Sequence, residues 1–263
     1  MPDKLRRLLL GLANLLLVIG PGVGIAVLSG QSPRGLPPDL LMGAALIPLY
    51  LAGARWIERR GAVELRPAGL VRGLGGGVLM GAALFSCLMG VLWLAGVYRP
   101  SVWGSWTPLP MSLLSLLGGA VAEEMIFRGF LFRLIAGLGG NWTALAVTSA
   151  LFGLAHLGNR EATLASSAAI AIEAGILLGA AYAASGSLWL PIGIHAGWNF
   201  AEGPVFGMAV SGNAQRAAWI AGQLHGPALL TGGAFGPEAS IVAVVVCLGA
   251  ASIYLRRMVI NRD

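Results

Sequence analysis

Apolar stretches near membrane-spanning length recur along nearly the whole chain. A helix needs about 20 mostly apolar residues to cross the hydrocarbon core of a bilayer. Stretches at or near that length run over 8–28, 40–54, 74–95, 109–136, 142–157, 164–184, 188–204 and 238–255. Only 11% of the 263 residues are charged, and mean hydropathy is +0.79. Soluble domains carry about 25% charged residues, so most of this surface faces something other than water. The expectation is an all-α, polytopic integral membrane protein of about eight transmembrane helices, forming a single membrane domain over 1–263.

The net charge of +6 does not point to nucleic acid. The basic residues sit at the ends of apolar stretches, which is how membrane orientation is encoded. With eight spans and both termini cytoplasmic, thirteen of the 17 Lys and Arg residues fall on the inner side. Only Arg34, Arg99, Arg160 and Arg216 fall outside. The main inner connection is 55–73, with Arg55, Arg59, Arg60, Arg66 and Arg72, and the Gly-rich segment 205–237 is the long outer one. The N-terminal apolar run extends to about Leu28, too long for a signal-peptide core, so it reads as a first span. The location expected is a bacterial inner membrane.

Forty glycines, some spaced as Gly175 and Gly179, read as sites where helices approach closely in lipid. Cys87 and Cys247 lie in apolar stretches without metal-ligand spacing and read as packing residues. Trp56 and Trp103, near span ends, fit interfacial anchoring.

Against this background the stretch GGAVAEEMIFRGFLFRLIAG stands out. A charged residue at the centre of a membrane helix costs about 2.5 to 3.5 kcal/mol on insertion scales. Glu124 and Arg128 are spaced i, i+4 and can compensate each other on one helix face. Glu123, rotated about 100° away, has no such partner on its own helix. Two histidines on other stretches supply candidates: His156 in SALFGLAHLGN, one turn after Phe152, and His195 in SLWLPIGIHAGWNF, one turn before Asn199. A carboxylate with two imidazoles suits a catalytic zinc site or a general base with orienting partners, and the Asn199 amide suits a developing oxyanion. Helix rise puts Glu123 and His156 roughly 20 Å from the inner ends and His195 about 10 Å, so their depths agree only in part. No carboxylate is evident behind either histidine.

Glu-Glu-x-x-x-Arg at 123–128, Phe-x-x-x-His at 152–156 and His-x-x-x-Asn at 195–199, in that order, resemble the CAAX-protease and bacteriocin-processing (CPBP, or Abi) family of intramembrane endopeptidases. The resemblance covers about 110–202, the catalytic core with its three motifs. It implies an eight-helix fold around a polar, water-accessible cavity, and cleavage of a membrane-associated peptide or protein. It also implies roles. Glu123 activates water with His156 beside it, Glu124 and Arg128 fix the motif helix, and His195 and Asn199 hold the oxyanion or complete a metal site. Phe152 lines the pocket. The resemblance allows a metal-free mechanism or zinc on Glu123, His156 and His195, and the metal-free form is preferred. Two other readings stand beside it. A non-catalytic adaptor or self-immunity protein of the same fold would tolerate loss of Glu123 or His156. A proton-coupled transporter would show paired repeats, which the chain lacks. Of the remaining polar residues, Glu173 reads as an interhelical hydrogen-bonding group, His225 as solvated, and Glu202 as a border of the cavity mouth.

Overall fold

The structure is a computed structural model that describes residues 6, 9–16, 20, 37–215 and 218–260. It is mostly helical. The helices are α1 (Pro38–Trp56), α2 (Gly76–Leu94), α3 (Leu109–Glu124), α4 (Arg133–Ala155), α5 (Leu164–Ile170), α6 (Ile176–Ser185), α7 (Trp189–Phe200), α8 (Ala228–Thr231) and α9 (Ile241–Ile260). Among the described residues, four segments are long and apolar enough to cross a membrane: Pro67–Leu94, Leu109–Gly158, Leu164–Ser185 and Ile241–Ile260. Four rather than eight meet this measure, for identifiable reasons. The expected span 8–28 lies largely outside the described residues. Two other expected spans, 109–136 and 142–157, form one segment broken at Gly140, whose φ of 82° and ψ of 170° are non-helical. The chain folds back there: Phe127 and Phe152 have ring centroids 4.9 Å apart, whereas 25 residues of straight helix would separate them by roughly 37 Å.

Glycines set the crossings, as the sequence suggests. A Cβ on Gly43 of α1 would lie 2.6 Å from Gly118 Cα of α3. A Cβ on Gly81 of α2 would lie 2.0 Å from the Ile194 carbonyl of α7, and one on Gly197 would lie 2.1 Å from the Val78 carbonyl. Gly175 lies against the backbone of Ser149 and Gly179 against the Leu145 side chain. These contacts hold α7 in the middle of the bundle, with residues 191–198 all buried. A helix apolar on all sides belongs there. Both cysteines are free, Cys87 exposed and Cys247 buried.

One feature departs from the all-helical expectation. Strand β1 (Tyr98–Trp103) pairs antiparallel with β2 (Ile220–Leu224), bringing the 96–108 and 205–237 connections together, with a register shift between Pro100 and Val102. Tyr, Val and Trp favour strands, and Pro100, lacking an N–H, sits at the irregularity where no ladder bond is needed.

The arginine-rich connection after α1 folds onto the π-helical turn Met125–Phe132 that follows α3. Glu58 accepts from Arg60 Nε at 2.8 Å, Arg133 Nη2 at 2.9 Å and Asn14 Nδ2 at 2.6 Å. Tyr50 donates to Glu64, which also pairs with Arg60 at 2.8 Å. Burial pushes the Glu58 carboxyl up, but hydrogen bonds from Arg60 and Asn14 and the Arg133 charge outweigh it and hold it below its ordinary value. A depressed carboxyl contributes stability above its unfolded value and loses it as pH falls through the folded one. Glu58→Gln should therefore lower Tm in detergent at neutral pH, with the deficit shrinking below about pH 4.3, the unperturbed glutamate value. Thermal melts of both proteins across pH check this, and a deficit unchanged by pH would refute it.

Candidate active site

The motif residues sit where helix geometry changes. After Glu124 the chain leaves α-helix for the π-helical turn Met125–Phe132, which carries Arg128. Such insertions recur at functional sites because the extra residue re-aims side chains. Arg128 and Glu124 are both fully buried and paired at 2.9 Å. Arg128 Nη2 donates to the Gly175 carbonyl at 3.2 Å and the Ala174 carbonyl at 3.4 Å, in the π-helical turn Ala171–Gly175.

Glu124 carries a second load. The same oxygen that meets Arg128 lies 3.0 Å from His195 Nδ1. A carboxylate paired with an arginine is an acceptor, so Nδ1 donates and Nε2 is left facing the site. This is the carboxylate behind a histidine that the sequence did not reveal. Glu123 is not buried with its neighbour: its side chain is 41% exposed, and its Oε2 lies 4.0 Å from His195 Nε2. The residue without a partner on its own helix thus meets the histidine of α7. The disagreement in depth from helix rise disappears in the packed bundle.

His156, in the 3-10 turn that ends α4, is 2.7 Å from the Phe152 carbonyl through Nδ1. A carbonyl only accepts, so Nδ1 carries the proton and Nε2 is an acceptor. Phe152 does more than line a pocket. Its ring lies 4.7 Å from His156, 6.1 Å from His195 and 4.9 Å from Phe127, and the Arg128 guanidinium sits 4.6 Å over it. Rings at these spacings contribute about 0.5 to 1.5 kcal/mol each beyond area burial, and a buried guanidinium over a ring adds a cation–π term. One phenyl ring therefore spaces all three motifs.

A pocket of about 30 Å³, room for one or two waters, is lined by Phe152, His156, His195, Asn199, Glu173, Ser211 and Glu238 together with apolar side chains, and Glu123 lies outside this lining. Of these, Glu238, in the short turn Pro237–Ala239, carries no local signal of a site role, and Glu173 reads from its stretch as structural. Glu173 does accept from Cys247 Sγ at 3.2 Å. Glu202 is wholly buried away from the pocket walls and does not border an opening, and His225 is exposed. Among the described residues no three His, Cys, Asp or Glu side chains are placed to hold a metal ion. Glu123, His156 and His195 offer the right donor types, but as placed they do not form a three-ligand set.

Fold and site together define a polytopic helical membrane protein whose acidic and imidazole groups meet among its helices. Residues 105–201 match the family model of the type II CAAX prenyl endopeptidase Rce1-like proteins. The matched region contains all three motifs and is consistent with the CPBP resemblance. The description of that family is of an endopeptidase. No curated protein and no solved structure matches the chain.

Removing one partner of a buried pair strands the other charge and costs about 3 to 5 kcal/mol. Arg128→Met should sharply reduce folded yield and Tm, while Arg128→Met with Glu124→Gln should recover much of both. Size-exclusion profiles and thermal melts test this. A double variant as unstable as the single one would show that the ion pair is not what Arg128 supplies.

Proposed function

We propose that the protein is an intramembrane endopeptidase that cuts a membrane-associated peptide or protein using water activated by Glu123. The observation that carries this reading is the approach of Glu123 to His195 Nε2, while His195 Nδ1 is held by Glu124. The Glu123 Oε2 facing it is buried without a hydrogen-bond partner among the described residues, and an unsatisfied buried acceptor is one that an incoming donor would satisfy. Glu123 is the accessible carboxylate of the pair and Glu124 the buried one, which divides their roles into base and scaffold.

The steps follow from the donors and acceptors present. Glu123 takes a proton from water as the water oxygen bonds to the scissile carbonyl carbon. His156 Nε2, an acceptor because Nδ1 donates to Phe152, helps orient that water. The developing oxyanion accepts from the Asn199 amide and from His195 Nε2–H. Two carboxylates, one guanidinium and an imidazolium bring this group of charges to neutrality, so a protonated His195 suits the site. When the tetrahedral intermediate collapses, the C–N bond breaks and the amine leaves with the proton from Glu123. A metal, if bound, would polarise the carbonyl or the water, and the residues to hold it would be His156, His195 and Glu123.

Positioned general bases contribute about 10²–10⁴-fold and single oxyanion donors about 10²–10³-fold. Glu123→Gln should thus lower kcat on a reporter peptide by at least about 10²-fold with Tm nearly unchanged, and Asn199→Ala should lower it within the oxyanion range. Full activity in Glu123→Gln would sink Glu123 as the base, whereas no cleavage by the unaltered protein would favour the adaptor reading. Treatment with a strong chelator should leave cleavage intact. Loss of activity restored by stoichiometric zinc or cobalt would transfer the mechanism to the metal form.

A further inference from the structure

A second group of carboxyls, none of them in the three motifs, gathers at the pocket. Glu173, Glu202 and Glu238 are 2%, 0% and 2% exposed. Each sits on a turn that departs from the α-helix: Ala171–Gly175, Ala201–Val205 and Pro237–Ala239. Glu173 and Glu238 line the pocket, and Glu202 lies against Glu238 from behind. Ser211 bonds Glu238, yet Glu238 Oε1 is buried without a donor among the described residues, and so are both oxygens of Glu202. Two carboxyls can bond each other only through a retained proton, so this pair holds one proton and offers one carboxylate to the pocket. Glu173 accepts from Cys247 Sγ at 3.2 Å, and a thiol is a weak donor.

The charges around Glu124 balance one another, whereas these do not. Arginine ion pairs among the described residues go to Glu58, Glu64 and Glu124, so no guanidinium serves the second group. Buried charges are paired as a rule, and here the unpartnered oxygen belongs to a pocket-lining side chain. The missing partner has a definable chemistry. Room for one or two waters takes a compact ammonium but not a planar guanidinium. An ammonium brings three donors and no acceptor, and Glu173, Glu238 and Asn199 offer acceptors around the same space. Phe152, Leu177 and Leu178 supply apolar wall for a methylene stem. His156 and His195 line this pocket too, which places the ammonium on a residue close to the bond being cut.

We propose that the pocket is a specificity seat for a lysine side chain flanking the scissile bond, its ammonium received by Glu173 and Glu238. The seat stands on burial, charge and room, while its place in a substrate rests on the peptidase reading above.

End-blocked apolar decapeptides test it, each with one lysine stepped through the central positions and compared with norleucine, arginine or Nε-acetyl-lysine at the same place. Binding to Glu123→Gln separates recognition from cleavage. At a position next to the cut, lysine should raise kcat/KM, and tighten binding to Glu123→Gln, by on the order of 10- to 100-fold over the other three, the range of a charge-assisted hydrogen bond. Glu238→Gln and Glu173→Gln should bring that ratio near one, and the ratio is readable even where a variant folds in lower yield. No preference at any position, an equal preference for arginine, or a preference untouched by both glutamine variants would overturn the seat. A lysine preference in binding, with no peptide cut by the unaltered protein, would overturn the peptidase reading and leave the seat standing.

Discussion

Glu124 Oε1 is the atom around which the rest is arranged. It accepts from Arg128 at 2.9 Å and from His195 at 3.0 Å, so one oxygen joins the π-helical turn after α3 to α7. The other arm of Arg128 ends on the Gly175 carbonyl and brings in the turn between α5 and α6. In a low-dielectric interior a charge left without these partners would cost several kcal/mol. The arrangement therefore tolerates little slippage of any of the three elements. Rigid placement of His195 is a by-product of neutralising Arg128.

That network can form only where backbones come close enough, and the glycine crossings provide this. Gly77, Gly81, Gly193 and Gly197 let α2 and α7 meet backbone to backbone, fixing the depth and rotation of α7 and hence of His195. Gly43 and Gly118 do the same for α1 and α3 above Glu123. Small residues in lipid substitute for the hydrophobic driving force that water would supply between helices. Phe152 then fills the space that ion pairs cannot, contacting a residue of each motif with a face or an edge of one ring.

What was legible in the sequence was chemical identity and local spacing. The i, i+4 relation of Glu124 and Arg128, the one-turn spacings of Phe152 to His156 and of His195 to Asn199, and the lack of a local partner for Glu123 all follow from helix periodicity. What was hidden depends on separation along the chain. Glu124 and His195 are 71 residues apart, so no pattern in either stretch discloses that one orients the other. The depth argument from helix rise gave His195 and Glu123 different levels because it assumed straight, upright helices. The chain instead inserts π-helical turns at Met125–Phe132 and Ala201–Val205 and starts α7 only at Trp189. The pocket roles of Glu173 and Glu238, and the β-ribbon joining two connections, likewise arise from tertiary packing of segments whose local signals are bland. The count of spans suffered for a related reason: hydropathy marks apolar length, and α7 is buried in protein rather than long.

The two histidines show why residue types alone leave the chemistry open and geometry narrows it. Each has Nδ1 committed to a fixed acceptor, a carboxylate for His195 and a backbone carbonyl for His156, so each offers Nε2 inward. Holding the far nitrogen in this way is what a metal-ligating histidine requires, and it equally serves one that holds water or an oxyanion. The difference lies in the third group. A ligand carboxylate belongs in a closed set with both imidazoles, whereas a base needs access to water and to the carbonyl under attack. Glu123 is the exposed member of its pair and touches one imidazole at the limit of contact; Glu124, the better-placed acceptor, is consumed by Arg128 and sealed from the pocket. The carboxylate left outside the ion pair is therefore Glu123, and on the proposed reading it is the base rather than a ligand.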